Sequence, residues 1–348
     1  MILNTTKTAL SLSIIAFVIS SSITNFAISK TVKKDYPVPE YKRGLTDHFI
    51  TWLNDTGTYE PYGFNRTDSF GGSFGGKDSD DTPITKRPII FIHGNSDMAI
   101  GDEWVNNGFR LSIEYFLSRG YTKAELYASQ WGFADVPHEP GHVMQKEWVM
   151  QIRKFVEAVL EYTQAPYIDM ISHSFGVTFS RRVIKGGLVF GDTHPYYIGE
   201  PLHKRVNTYI GIAGRNWGIS SCIMSFYYDN YRICNKLNGG YPGSEDAQPY
   251  PKNMSLALLE MNVDPTKEAE HTYAIYSAYD ASKMFSRYTQ EWPTMDASYM
   301  FTTPEYDHVG TRDLSSEMQY NLVTYNSFVA PESIEEDGST VQDKVFLQ

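Results

Sequence analysis

The sequence predicts an α/β fold in which a mostly parallel sheet is covered by helices on both faces. Apolar runs that read as strands recur at residues 88–92, 124–131, 167–171, 206–213 and 272–278, and the continuous run at 88–92 fits a strand buried on both faces. Between the second and third runs, Trp148, Val149, Ile152, Phe155, Val156, Val159 and Leu160 recur at helical spacing. Strand and helix patterns that alternate along a chain imply crossover connections, hence parallel strands. A chain of 348 residues exceeds the usual domain size, yet α/β folds of this length run as one unit. A single main domain is therefore expected over residues 87–329.

In chain order, an apolar stretch at residues 9–19 follows Lys7 and precedes Ser20, Ser21, Ser22 and Ala27. Residues 1–27 thus have the form of a cleaved signal peptide, too short to span a bilayer. Residues 28–86 read as an N-terminal extension packed on the main domain. Within it, residues 71–76 (Gly-Gly-Ser-Phe-Gly-Gly) read as a flexible loop. They do not form a phosphate-binding loop, because Asp78 follows Lys77 where a hydroxyl is required. The first strand, 88–92, ends in His93-Gly94. After the second strand and the helix, the third strand runs into Ser172-His173-Ser174-Phe175-Gly176, and a helical pattern follows over 177–184. The fourth strand leads to an aromatic segment, 217–228, and to Cys222 and Cys234. The fifth stops just short of Asp280, and a loop carrying Asp307 and His308 precedes a helical stretch over 314–325. From residue 330, Glu332, Glu335, Glu336 and Asp337 make an acidic tail without helical period, expected to be mobile.

The chemistry concentrates at Ser174. A serine boxed between small residues, where a strand turns sharply into a helix, is the outline of a nucleophile elbow. Its hydroxyl stands at a helix N-terminus, where unpaired N–H groups and the helix dipole favour developing negative charge. The loop after the His93-Gly94 strand and the residue after the serine are then expected to supply two backbone donors to an oxyanion, the amides of Asn95 and Phe175. His93, directly behind a buried strand, is expected to brace that loop. A base must follow the serine in the chain. Of the three histidines well beyond Ser174 and past the next expected strand, counting His203 at its entrance, His203 and His271 each enter a strand, the wrong end of a parallel sheet for ligand chemistry, which leaves His308 as the best base. Asp280 stands at the carboxyl end of its strand and is the expected acid. Asp307, adjacent to His308, is poorly placed to pair with it by side chain and is expected to be a solvated loop residue.

Taken together, the residues Ile90 to Asp97, Ile168 to Gly176, Tyr276 to Asp280 and Asp307 to Leu314 resemble the secreted class 2 (triacylglycerol) lipase family of α/β-hydrolases. The resemblance implies the α/β-hydrolase fold, Ser174 as nucleophile, Asp280 as acid, His308 as base, and the Asn95 and Phe175 amides as the oxyanion hole. It implies a lipid ester as substrate, met at a transient lipid–water interface, with no cofactor. Ser172 departs from the glycine usual at the elbow's first small position, a change small enough for strand and helix to approach. An esterase or amidase for smaller acyl substrates, and a catalytically silent binding protein on the same fold, are the alternatives.

The remaining features agree with an extracellular enzyme. Cys222 and Cys234 are a closely spaced pair expected to form a disulfide, and no second pair of ligands is spaced to complete a zinc site, so no metal is expected. Asn54, Asn65 and Asn253 each begin an N-glycosylation triplet. A net charge of −11 argues against nucleic acid and gives no attraction to anionic membranes. The segment rich in Trp217, Ile219, Ile223, Met224, Phe226, Tyr227 and Tyr228 is either a lid or acyl-pocket wall or a packed excursion of the core.

Overall fold

The structure is a computed structural model that describes residues 36–102, 106–243, 251–280, 290–331 and 344–347. The expected signal peptide, 1–27, lies outside the described residues, as do the acidic residues at 332–337. Contacts divide the chain into Met1–Pro37 and Val38–Gln348, and nearly all described residues belong to the second unit.

In chain order the strands are β1 (Gly44–Leu45), β2 (Ser73–Gly75), β3 (Ile89–Ile92), β4 (Leu126–Ser129), β5 (Ile168–His173), β6 (Leu188–Phe190), β7 (Pro195–Tyr197), β8 (Val206–Ile212), β9 (His271–Ser277), β10 (Ala297–Phe301) and β11 (Lys344–Leu347). The helices are α1 (Asp47–Asp55), α2 (Arg110–Ser118), α3 (Lys146–Thr163), α4 (Phe175–Lys185), α5 (Ser225–Asn230), α6 (Leu256–Val263), α7 (Gly310–Asp313) and α8 (Ser316–Tyr325). Among the described residues nine strands form one sheet in the order β1-β2-β4-β3-β5-β8-β9-β10-β11, and β6 pairs with β7 as a separate hairpin. All pairings in the sheet are parallel except β2 with β4 and β10 with β11.

The apolar runs become central strands because each face has a helix layer to bury it. Along β3, Ile90 and Ile92 join the core formed with Phe49 of α1, Val149 and Phe155 of α3, Val177 and Phe179 of α4 and Leu258 of α6. Ile89 and Phe91 point the other way, into the core formed with Ile113 and Phe116 of α2 and Leu322 of α8. Every residue of β3 and β5 is buried, as strands covered on both faces require.

Residues 71–76 are not the flexible loop expected from their composition. Ser73–Gly75 is a strand with all three residues buried, and Phe74 sits in the α2-side core, edge-on to Tyr41 at 5.7 Å. The glycines are a packing requirement: Gly75 has φ 126°, and a Cβ there would stand 2.6 Å from the Leu126 carbonyl oxygen. Residues 44–75 therefore extend the same sheet through β1 and β2. The strand Ala297–Phe301, interrupted by Ser298, is not among the apolar runs of the sequence. Within the segment beginning at 330, Lys344–Leu347 pairs antiparallel with β10.

Candidate active site

Parallel pairing in register brings the carboxyl ends of β3, β5, β8 and β9 to one edge of the sheet: Ile92 pairs with Ser172, His173 with Ile212, and Ile212 with Ile275. The residues that follow these strands are thereby gathered in space, although the chain separates them by up to about 200 positions. Ser174 occupies the turn between β5 and α4 with φ 55° and ψ −124°, a conformation that costs a non-glycine residue about 1–3 kcal/mol. The tertiary structure holds it there. The Ser174 N–H donates to Ile212 O at 2.8 Å, and the Ser174 carbonyl accepts from the Val177 N–H at 3.1 Å. Gly176 is forced by the approach of β3, since a Cβ would come within 2.3 Å of the His93 carbonyl oxygen. At Ser172 the expected tolerance has a physical basis. Its hydroxyl shares a hydrogen bond with Ser180 Oγ at 2.6 Å, and Ser180 Oγ donates to Gly176 O at 2.7 Å, so the extra polar atom is satisfied inside α4.

The Ser174 hydroxyl does not cap its helix. It lies 2.9 Å from His308 Nε2, and His308 Nδ1 lies 2.7 Å from Asp280 Oδ2. Ser174 and Asp280 are both 3% exposed, whereas the His308 ring is partly open to solvent. A buried carboxylate facing Nδ1 accepts a hydrogen bond from the N–H there, which keeps the ring hydrogen on Nδ1 and leaves the Nε2 lone pair toward the serine. Asp280 Oδ2 also accepts from Gln290 Nε2 at 3.3 Å, the Gln290 carbonyl from Asn216 Nδ2 at 3.0 Å, and Asn216 Oδ1 from Arg181 Nη1 at 3.1 Å. Arg181 is fully buried and paired with the buried Glu268 at 2.9 Å. Asp280 is thus tied through Gln290 and Asn216 to the buried Arg181–Glu268 pair.

Asp307 is not the solvated residue expected. It is half-buried, and its Oδ1 accepts from the Val309 and Gly310 N–H groups at 3.1 and 2.7 Å, opening the turn into α7. Burial raises its pKa above the ordinary carboxylate value. His93 braces the loop after β3. It is 1% exposed, its Nε2 accepts from the Trp131 N–H at 3.1 Å, its carbonyl accepts from Trp131 Nε1 at 3.0 Å, and its ring stacks on Trp131 at 5.1 Å. Burial lowers its pKa to about 4, so the ring is neutral. Neither the Asn95 nor the Phe175 backbone N–H donates to another described group. His203 and His271 stand at the opposite strand ends, in the turn before β8 and at the first position of β9.

Two supporting residues escaped sequence reasoning. His173 Nε2 donates to the His308 carbonyl at 2.9 Å, tying the elbow to the base's own backbone, and burial holds its pKa well below the ordinary value. Arg312, 1% exposed, pairs with Asp97 of the loop after β3 and with Asp313 at 2.7 Å, joining that loop to the helix after His308. An arginine four residues after the base was a visible signal; the direction of the His173 ring was not.

Cys222 and Cys234 form a disulfide, both buried. The aromatic segment divides around it. Trp217 packs on the main core, Ile219 and Tyr227 pack on the disulfide, and Ile223, Met224, Phe226 and Tyr228 are exposed. Tyr231 and Arg232 of this loop face Phe133, Pro137, Pro140, His142 and Trp148 across a cleft of ≈ 430 Å³. Among the described residues no helix is long and apolar enough to cross a membrane.

A family model described as lipase (class 2) matches residues 86–321. The chain belongs to the class 2 lipase family. The mostly parallel sheet with helices on both faces is the α/β-hydrolase architecture of that family. No curated protein matches the chain. Among solved structures it is similar to lipase B of Aspergillus fumigatus (12% identity, TM-score 0.44, covering 76% of this chain and 59% of that one). It is also similar to the acylaminoacyl peptidase of Pyrococcus horikoshii (16%, 0.41, 72% and 40%) and to the epoxide hydrolase VrEH1 of Vigna radiata (11%, 0.39, 73% and 92%). The chain thus spans 59% of the length of the Aspergillus enzyme.

Proposed function

We propose that this protein is a secreted triacylglycerol lipase that works through an acyl-enzyme on Ser174. The observation that carries the reading is the continuous hydrogen-bonded chain from Ser174 Oγ through His308 to Asp280, on a turn held in a strained conformation. As Ser174 Oγ attacks the ester carbonyl, its proton passes to His308 Nε2. The carbonyl oxygen becomes an oxyanion held by the Asn95 and Phe175 N–H groups, and buried Asp280 stabilises the imidazolium. Collapse breaks the bond to the alcohol, and His308 returns the proton to the leaving oxygen. Water, deprotonated by the same histidine, then attacks the acyl-enzyme and releases the fatty acid.

The family description and the apolar wall of the cleft, made by Phe133, Pro137, Pro140, Trp148 and Tyr231, support a lipid ester as substrate. The disulfide and the signal-like N-terminal stretch support export to an oxidising compartment. Labelling with a fluorophosphonate probe, followed by release assays on short-chain and long-chain esters, tests the reading. Wild-type protein labels at Ser174 and prefers long-chain esters. Ser174→Ala neither labels nor turns over, a loss on the order of 10³-fold or more. Labelling retained in that variant refutes the nucleophile, and a preference for short, soluble esters refutes the lipase.

A further inference from the structure

The Asn95 N–H is one of the two donors proposed for the oxyanion, and the Asn95 side chain shows what aims it. Its Nδ2 donates to the Glu139 carbonyl at 3.2 Å. A carbonyl only accepts, so the orientation of the carboxamide is settled, and Oδ1 is the atom that faces His142. The His142 Nδ1, 2.7 Å from that oxygen, must then carry a hydrogen and donate it. Burial lowers the His142 pKa from its ordinary value, which agrees with a neutral ring in this tautomer. Protonation adds a hydrogen only at Nε2, so the bond to Asn95 does not depend on it.

Asn95 is held more firmly than a loop residue requires. Ser96, next in the chain, is left-handed at φ 53°, 3% exposed, and donates through Oγ to the Asp135 carbonyl at 3.0 Å. Four hydrogen bonds thus tie residues 95 and 96 to the one segment 135–142, the longest being the 3.5 Å contact of His142 Nδ1 with Ser96 Oγ, against 2.7 Å to Asn95 Oδ1. On the other side Asp97 pairs with the buried Arg312. The His142 ring is itself wedged edge-on to Trp148 at 5.0 Å; Trp148 packs on Trp131 at 5.5 Å, and Trp131 stacks on His93. One aromatic stack therefore supports both the start of the loop after β3, at His93, and the residue that carries the proposed donor, through His142.

We infer that His142 is a positioning residue for acyl transfer: its Nδ1–H grips the Asn95 carboxamide and so keeps the Asn95 backbone N–H where the oxyanion forms. The inference rests on the hydrolase reading above. Because the donor matters only once negative charge has developed, its displacement acts on kcat and leaves ground-state binding alone.

The test measures kcat and KM on p-nitrophenyl butyrate, and the affinity for an alkyl boronic acid whose tetrahedral adduct presents an oxygen to the same site, in wild-type protein, His142→Leu and His142→Asn. Loss of a whole oxyanion donor costs about 10²–10³ in kcat, so a displaced one is expected to cost roughly 10–100-fold in His142→Leu, with KM unchanged within about twofold and boronate affinity reduced in parallel. Asparagine places an N–H near the position of Nδ1, and His142→Asn is expected to recover kcat to within about fivefold of wild type. The inference is overturned if His142→Leu keeps kcat within about threefold, or if His142→Asn, folded by its thermal midpoint, is no more active than His142→Leu. Wild-type protein that shows no Ser174-dependent ester hydrolysis overturns the hydrolase reading and this inference with it; the preceding two outcomes, in an active wild type, overturn this inference alone.

Discussion

Replacing Asp280 with asparagine separates the acid from its neighbour Asp307 by chemistry alone, because the change is nearly isosteric. Asp280 Oδ2 is buried and accepts from His308 Nδ1 at 2.7 Å and from Gln290 Nε2 at 3.3 Å. If the asparagine amide nitrogen takes that position, it faces two donors, and His308 must move its hydrogen to Nε2, where it can no longer accept the Ser174 proton. If the carbonyl takes it, the tautomer survives, but the charge that stabilises the imidazolium is gone. Either orientation raises the barrier, and the expected loss is about 10³ to 10⁴ in kcat, equivalent to about 4 to 5.5 kcal/mol. Asp307 is different. Its Oδ1 accepts from the Val309 and Gly310 N–H groups, work that an asparagine carbonyl also does, so Asp307→Asn is expected to cost less than roughly tenfold. Steady-state hydrolysis of p-nitrophenyl butyrate by both variants, with thermal midpoints to confirm folding, decides it. A larger loss for Asp307→Asn than for Asp280→Asn refutes the assignment of the acid.

Two further outcomes follow from buried groups. Burial lowers the His93 pKa from 6.5 to about 4, so below pH 6.5 the unfolded chain takes up a proton that the folded chain refuses. The stability held at pH 7 is then lost as pH falls toward 4, by about 3 kcal/mol at about 1.4 kcal/mol per pKa unit. Urea unfolding at pH 7 and pH 4 should show this loss in wild type and lack it in His93→Gln, which keeps an acceptor for the Trp131 N–H; parallel pH dependence in the two proteins refutes the role of burial. The Cys222–Cys234 bridge closes a short loop, with a sequence separation of 12, and Cys234→Ser is expected to lower stability by up to about 3 kcal/mol. Alkylation of native wild-type protein should find no free thiol at either position, and two reactive thiols contradict the disulfide.

The central strands were legible because strands buried on both faces are rich in apolar residues: residues 88–92 are apolar throughout, and 167–171 and 206–213 are so apart from Asp169, Asn207 and Thr208. The elbow was legible for a related reason: a sharp strand-to-helix turn admits only small residues around the serine, and that restriction is local. Edge elements obey no such rule. Ser73–Gly75 reads as loop because glycine signals freedom in an isolated chain; only the nearness of Leu126 turns it into a necessity. Ala297–Phe301 escaped as well: its single apolar triplet, Tyr299 to Phe301, is too short to stand out from the chain around it.

The candidate site divides in the same way. Residue types, chain order and the polarity of parallel strands were enough to select Ser174, Asp280 and His308, since those constraints act along the chain. The supports are set by contacts across it. His173 donates to His308 O, Arg312 pairs with Asp97, and His142 meets Asn95, at chain separations of 135, 215 and 47 residues. A side chain's type leaves such partners open, because ring direction and hydrogen-bond choice follow from which elements the fold packs together. The sequence by itself determined the chemistry available at the sheet's carboxyl edge. The tertiary structure decided how each group there is aimed, because aim depends on neighbours that only folding brings within 3 Å or so of one another.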